Sequence, residues 1–526
     1  MPVLPLQPPR PADPNRILHV TLMLRPRSGE RKRLLQCLRM ARQLPAERRY
    51  LTIDELIGEH GADEKDLRMV LAFAKRNGMT ARPDRDRCSV VLSGPVSVMN
   101  KVFSVRTLVS CKGDARFFTH RGKAHIPPKL KGVAVAVAGL DTRPLSRPLA
   151  IALREAHQKP SEPERVAEYY KFPPAADKST ETIGIIAPGG GFHESDLKAY
   201  FSKRGMRKPE VTVVSSHGYH NKPASPEEIR EFLKAAETTG KVDPGSPAAL
   251  TIETTMDIEL AGAFGGVGHI VVYMATDDAR GIQAAIAAAL SDRKNRPSVI
   301  SCSWGNFENK YSRSFIRAVD GLLETAILQG VAVCCASGDA GDGRSEGSRG
   351  VYFPASSRWV LACGGTHLLL EGDIERESPW HERVAGLDFA GGYGASRVFA
   401  TPSWQRGVGI IEKVRRHGRA IPDVAGKADL KTGYVAHVGG TDVPLGGTSA
   451  AAPMWAGLLA RIGHELGVRP GWIAPLLYHP DFRGTTRGIT GKGIRTRKVW
   501  DPKTGWGSPI GKALCEALAA KPDSHS

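Results

Sequence analysis

Between residues 181 and 339 the chain alternates short apolar runs with helical stretches, and this alternation narrows the fold more than any other feature. ETIGIIAPGGG (181–191), PEVTVVSS (209–216), HIVVYMA (269–275), SVISCSWG (298–305) and VAVCCASGD (331–339) read as strands. HESDLKAYFSKRG (193–205), TIETTMDIELAGAF (251–264), RGIQAAIAAAL (280–290) and SFIRAVDGLLETAILQG (314–330) lie between them and read as helices. Near-continuous apolar strands joined by helices predict a parallel sheet covered by helices on both faces. Such a sheet presents reactive groups at the carboxyl ends of its strands. With 41% hydrophobic and 24% charged residues over 526 positions, the chain has the makings of a large core, and disorder as the main state is excluded.

Residues 1–145 read as a separate, small α+β domain. ILHVTLML (17–24), CSVVLSG (88–94) and VAVAVAGL (133–140) are its strands. RKRLLQCLRMARQL (31–44), LTIDELIGEHG (51–61) and EKDLRMVLAFAKRNG (64–78) are its helices, the last two stopped by Gly. LREAHQKPSEPERVAEYYKF (153–172), polar and broken by Pro, reads as a linker. No run approaches the roughly 20 apolar residues of a membrane-spanning helix. The Pro-rich start, MPVLPLQPPRPADPNR, lacks the apolar stretch of a signal peptide. Eight scattered cysteines without a CxxC pair read as buried thiols, not as a disulfide or zinc framework.

Three segments carry chemistry. In GGTSAAAPMWAGLLA (446–460), Ser449 stands at the start of a helix, where free N–H groups favour developing negative charge, and Pro453 suits a first helical turn. A hydroxyl nucleophile needs a base. Glu253 and Asp257, four apart on a helix whose other residues are apolar or small, put two carboxylates on one buried face. Two such groups share a proton, which makes Glu253 a candidate general base for Ser449 and Asp257 its support. Asp339, in SGD after the strand 331–338, is a candidate oxyanion donor, because a protonated carboxyl donates a hydrogen bond whereas an ionised one repels an anion. That chemistry belongs to acid.

The order Glu253–Asp257–Asp339–Ser449 on a βα framework resembles the sedolisins, or serine-carboxyl peptidases, and in particular their kumamolisin branch. The resemblance extends through ERVAEYYKFP, SCSWG, YFPASSRWVLACGGT, GGYGASRVFATPSWQ, IPDVAGKADLKTGY and WDPKTGWGSP. It implies a subtilisin-like α/β fold preceded by a ferredoxin-like α+β prodomain, with residues 1–160 as activation propeptide and linker and 161–526 as the peptidase. It further implies a secreted, acid-active serine endopeptidase that processes its own proform, acts on proteins or peptides as a monomer, and is inhibited and chaperoned by its propeptide. Trp304 matches an aromatic near the family's active site and is a candidate substrate contact. The alternatives are a conventional subtilisin-type peptidase working through a histidine and a non-catalytic basic binding protein. The first lacks its His and Asp segments; the second lacks any nucleic-acid or membrane motif, so neither partner is expected.

Two departures qualify the match. The family's calcium segments here read RGIT and RKVWD: Gly488 replaces an Asp, Arg497 and Val499 replace two Gly, and only Asp501 matches. Calcium wants six to eight oxygens, so the expectation is that Arg487, Arg497 and Lys498 pair with Asp501 in place of a metal. Where some members carry a Glu in E-L-G-G-G, this chain has Ala187 and Pro188. The net charge of +19 also divides unevenly. Residues 1–160 hold 30 basic and 14 acidic side chains, and 161–526 hold 43 and 40. The basicity therefore belongs to the N-terminal domain, and the expectation is that it docks on carboxylates of the body and is released when acid protonates them.

Overall fold

A computed structural model describes residues 7–520 except 85–87, 113–114, 144–146, 149–150, 153–159, 177–178, 217, 240–241, 349, 373, 385, 410–416, 492 and 496–498. The N-terminal domain runs β1 (Ile17–Leu24), α1 (Glu30–Met40), α2 (Ile53–His60), α3 (Glu64–Arg76), β2 (Thr80–Pro83), β3 (Ser89–Pro95), α4 (Val96–Phe103) and β4 (Ala134–Ala138). Its antiparallel sheet has the order β2-β3-β1-β4, the ferredoxin-like arrangement expected. Leu18, Val20 and Leu22 are buried along alternate positions of β1 against Val70, Phe73 and Met99. A hairpin of Arg106–Lys112 with Ala115–Arg121 is attached before β4.

Two short strands follow, β5 (Arg147–Pro148) and β6 (Ile151–Ala152). The expected linker then holds a helix, α5 (Pro163–Tyr169), started by Pro at its first position. At Ser161 the chain is tied to the body again, its N–H donating to Thr432 O and Gly433 O. The body continues β7 (Thr182–Pro188), α6 (Glu194–Lys203), β8 (Glu210–Ser215), α7 (Pro226–Thr239), α8 (Pro247–Gly265), β9 (His269–Ala275), α9 (Ala279–Leu290), β10 (Val299–Cys302), β11 (Trp304–Phe307), α10 (Arg313–Gln329) and β12 (Ala332–Ala336). After β12 come β13 (Leu361–Glu371), β14 (Ile374–Pro379), β15 (Val424–Lys427), β16 (Tyr434–Val438), β17 (Thr441–Gly446), α11 (Thr448–Leu466), β18 (Thr486–Thr490) and α12 (Gly511–Ala519). Seven strands form the parallel sheet in the order β8-β9-β7-β10-β12-β13-β15, with β14 antiparallel on the far half of β13.

The segment 298–305 is not one strand. It stays in the sheet through Cys302, breaks at Ser303 and leaves as β11, which pairs antiparallel with β5. Helix α8 is buried over its whole length from Ala248 onward, on every face and not only on the one that carries the carboxylates. Its polar residues therefore need internal partners. It packs on α11 through a glycine contact: a Cβ on Gly457 would lie 2.7 Å from Gly265 N. The two helices run in the same sense, so eight residues back from that contact lead to Asp257 on one and Ser449 on the other.

The two domains share apolar packing. Met23, Cys37, Met40, Leu51 and Leu56 of the N-terminal domain belong to the body's core cluster, beside a separate core of the domain's own. Leu51 N–H donates to Leu328 O at 2.7 Å and Val137 N–H to Ser314 Oγ at 2.7 Å, so α10 is the body's docking helix. The ion pairs across the contact differ from the expected pattern. Arg33 meets Glu324 at 3.0 Å, but Asp54 meets Arg293 at 2.6 Å and Glu30 meets Arg317 at 3.0 Å. In two of these three pairs the acid is on the basic domain.

Candidate active site

Residues from four separate segments converge at the carboxyl ends of β10 and β12. Gly447 precedes α11 with φ 108°, a conformation that side chains other than Gly avoid, and a Cβ on Gly446 would sit 2.7 Å from Ala428 O. The two glycines thus let β17 turn sharply into α11 and present Thr448 and Ser449 at its start. Pro453 is the sixth residue of α11, beyond the first turn, contrary to the sequence reading. Lacking an N–H, it leaves the carbonyl of Ser449 without its helical donor.

Ser449, Glu253 and Asp257 are all fully buried. Ser303 joins them. Its Oγ donates to Asp257 Oδ1 at 2.6 Å and lies 3.3 Å from Ser449 O, while Ser449 Oγ donates to Ser303 O at 3.5 Å. Glu253 lies one turn before Asp257 on the same face of α8. Burial pushes the Asp257 carboxyl well above the usual range; the Ser303 hydrogen bond opposes this and the nearby Cys302 thiol adds to it. Among the described residues no histidine hydrogen-bonds to Ser449, which leaves the conventional subtilisin alternative without its base.

Asp339 faces the same helix start. Its Oδ1 accepts from Thr448 N–H at 2.8 Å and from Thr448 Oγ1 at 2.7 Å, and Thr448 Oγ1 in turn accepts from Gly338 N–H at 3.1 Å. Its Oδ2 is buried without a hydrogen-bond partner. Burial pushes the carboxyl up to about 7 against the pull of the two Thr448 bonds. Below that pH the free oxygen can carry a proton and act as a donor.

Trp304 is buried on β11, and its indole N–H has no hydrogen-bond partner. Its backbone does the visible work: β11 pairs with the linker in the register Trp304–Pro148 and Gly305–Arg147. Beyond residues 149–150 the linker pairs antiparallel with β17, Ile151 opposite Gly446 and Ala152 opposite Leu445. The linker therefore enters along one wall of the site and leaves along the other. The sequence reading quoted SCSWG for its Trp and passed over Ser303; a polar residue at the end of an apolar strand was the available signal.

Asp501 is not part of this site. Its carboxylate accepts from Lys503 N–H at 2.8 Å within the turn 501–505. Arg487, expected to pair with it, instead donates to Tyr169 O at 2.5 Å and Pro509 O at 3.1 Å and stacks on Tyr169, tying β18 to α5. Arg497 and Lys498 lie outside the described residues. With no carboxylate at Gly488 and Asp501 committed to its turn, these segments do not fit calcium. A second cluster, His367, Glu382 and Asp429, has metal-ligand spacing. A cation is already built into it: Lys427 Nζ donates to Asp429 Oδ1 at 2.7 Å, to Leu368 O at 3.1 Å and to Thr432 Oγ1. Burial works against the charge of Asp429, yet Lys427 and His367 hold its carboxyl far below the usual range.

A parallel sheet with a buried serine at a helix start, a carboxylate pair beside it and an N-terminal domain docked over it define a subtilisin-like serine peptidase with an activation domain. The family model described as "Pro-kumamolisin, activation domain" matches residues 8–143, and that described as "Subtilase family" matches 257–467. Kumamolisin from Bacillus sp. (strain MN-32) is 36% identical over 531 residues, covering 95% of this chain and 91% of its own. Sedolisin from Pseudomonas sp. (strain 101) is 25% identical over 497 residues, covering 88% and 80%. The solved structure of Pseudomonas sedolisin, a serine-carboxyl proteinase complexed with two molecules of pseudo-iodotyrostatin, aligns with a TM-score of 0.56 at 26% identity, covering 68% of this chain and 98% of that one. The chain belongs to the sedolisin family of serine-carboxyl peptidases, in its kumamolisin-like branch.

Proposed function

We propose that this peptidase is an acid-active endopeptidase that cuts its own linker. The observation that carries the reading is the link from Ser449 through Ser303 to Asp257, with Asp339 across the helix start. Glu253, sharing a proton with Asp257, takes the hydrogen of Ser449 Oγ as that oxygen attacks the peptide carbonyl. Protonated Asp339 and the N–H of Ser449 stabilise the tetrahedral oxyanion. Glu253 returns the proton to the leaving amine, and water hydrolyses the acyl-enzyme by the reverse steps. Asp339 is a donor below about 7, so the activity belongs to acid.

The two-sided pairing of the linker supports self-processing. The linker is held antiparallel on β11 through residues 147–148 and, through residues 151–152, on β17, the strand that leads into Ser449. We assign the first cut to the stretch between residues 148 and 151, and the start of the mature body to about residue 160, just before Ser161 docks. The propeptide then serves as inhibitor and folding partner. Proteins or peptides are the substrates, and acid chemistry suits a secreted enzyme; among the described residues no helix is long and apolar enough to cross a membrane. Incubating the purified proform between pH 3 and 7 and sequencing the new N-terminus tests this directly. An intact chain at every pH, or a cut far from residues 148–151, refutes it.

A further inference from the structure

We propose that Ser303 is a positioning residue that couples the carboxylate pair to the backbone of the nucleophile; this rests on the catalytic reading above. Three observations meet at this side chain. Its hydroxyl lies 2.6 Å from Asp257 Oδ1 and 3.3 Å from Ser449 O. Pro453 has removed the helical N–H that would otherwise occupy Ser449 O, so that carbonyl is open to a side-chain donor. The carbonyl of Ser303 itself receives the hydrogen of the nucleophile at 3.5 Å.

A hydroxyl has one hydrogen to give and can accept others. With Asp257 ionised, Ser303 donates to Oδ1. With the proton on Oδ1, Asp257 donates to Ser303 Oγ, and the hydrogen of Ser303 turns to Ser449 O. No bond other than O–H changes partner, and the atoms balance in both states. The orientation of one buried hydroxyl thus follows the proton of the pair and is felt at the peptide of Ser449. Around Asp257 are Glu253, one turn earlier on its own helix, Cys302 from β10, and Ser303, which also reaches Ser449 of α11. The break between β10 and β11 keeps Ser303 there: one residue earlier the chain is in the sheet, one later it is in the wall that holds the linker.

The test is the pH–rate profile of Ser303→Ala on a peptide substrate, after separation from the propeptide. Losing a hydrogen bond given to a carboxylate favours its protonated form. The limb on which activity rises with pH should therefore move upward by about one pH unit, and kcat should fall about 10- to 100-fold with KM within twofold. A superimposable profile, or a change in KM alone, overturns the inference. Should Ser303→Ala fail to accumulate, Ser303→Cys, similar in shape and a weak donor, must show the same displaced limb, and an unmoved limb is equally fatal. Ser449→Ala and Glu253→Gln serve as references. If these remain active, the catalytic reading itself fails; if they are inactive and Ser303→Ala is normal, only the coupling fails.

Discussion

The catalytic pocket and the α10 interface both bury carboxylates, and they satisfy them differently. In the pocket Asp257 meets a hydroxyl and Asp339 meets a hydroxyl and an amide, with no counter-ion in hydrogen-bond contact among the described residues. Burial then raises both carboxyls and keeps a proton available. At the interface Glu324 meets the Arg33 guanidinium, which also donates to Gly321 O at 2.7 Å and Thr325 Oγ1 at 2.5 Å. Even so, burial leaves Glu324 pushed up to about 7, and Asp320, one turn earlier and bonded to Ser357, at about 6. The lesson concerns sign. A carboxylate raised in the folded proform above the value of a free side chain binds its proton more tightly there, so its contribution to folding stability is fully present in acid and is lost as pH rises through about 7. On the function proposed above, the acid-dependent and irreversible step belongs to the pocket, between the walls on which the linker strands pair.

The contrast can be broken in several places. Ser449→Ala should lower peptide hydrolysis by about 10⁴-fold or more and leave the linker uncut in acid, read by mass spectrometry. Asp339→Ala should cost about 10²- to 10³-fold in kcat. Wild-type rate should fall as pH rises through about 7, and Asp339→Asn, a neutral donor at every pH, should flatten that limb. Gly457→Ala forces a Cβ to within 2.7 Å of Gly265 N and should cost about 1–3 kcal/mol of stability in thermal unfolding, pulling α8 from α11. In a Ser449→Ala proform, hydrogen exchange on α10, corrected for the intrinsic pH dependence of exchange, should report lower stability at pH 8 than at pH 5, by at most about tenfold per pH unit, and Glu324→Gln should reduce that slope. Excess EGTA should leave the melting temperature unchanged; a clear drop would restore calcium to the C-terminal segments.

Most of the βα order was legible, because fully buried parallel strands are apolar at every position and their helices are long. The exceptions have local causes. Helix α7 carries Ile229, Phe232 and Leu233 at helical spacing, a stripe that the sequence reading passed over among the charges of Glu227, Glu228 and Glu231. The linker hides α5 because its Pro sits at a first helical position, where it starts a helix instead of ending one. SVISCSWG looks like a single strand, since a serine at a sheet exit and a serine within a strand are the same letter. Glu253, Asp257, Asp339 and Ser449 were each legible as chemistry, and their joint pattern matched a family. Ser303 and the new partners of Arg487 were not, because both act through contacts with residues remote in the chain.

The order and identity of the residues already establish what chemistry is available: a serine at a helix start, two carboxylates one turn apart, and an aspartate that must be protonated to help. They also locate the excess positive charge in the first 160 residues. What they leave open is geometry across long separations. The 2.6 Å contact between Ser303 and Asp257 spans 46 positions, and the contact between Ser303 and the carbonyl of Ser449 spans 146. Such distances depend on how α8 crosses α11 at two glycines and on where β10 leaves the sheet. The direction of the linker through the site likewise follows from strand register, a property of the folded sheet edges on either side of it and not of the linker's own residues.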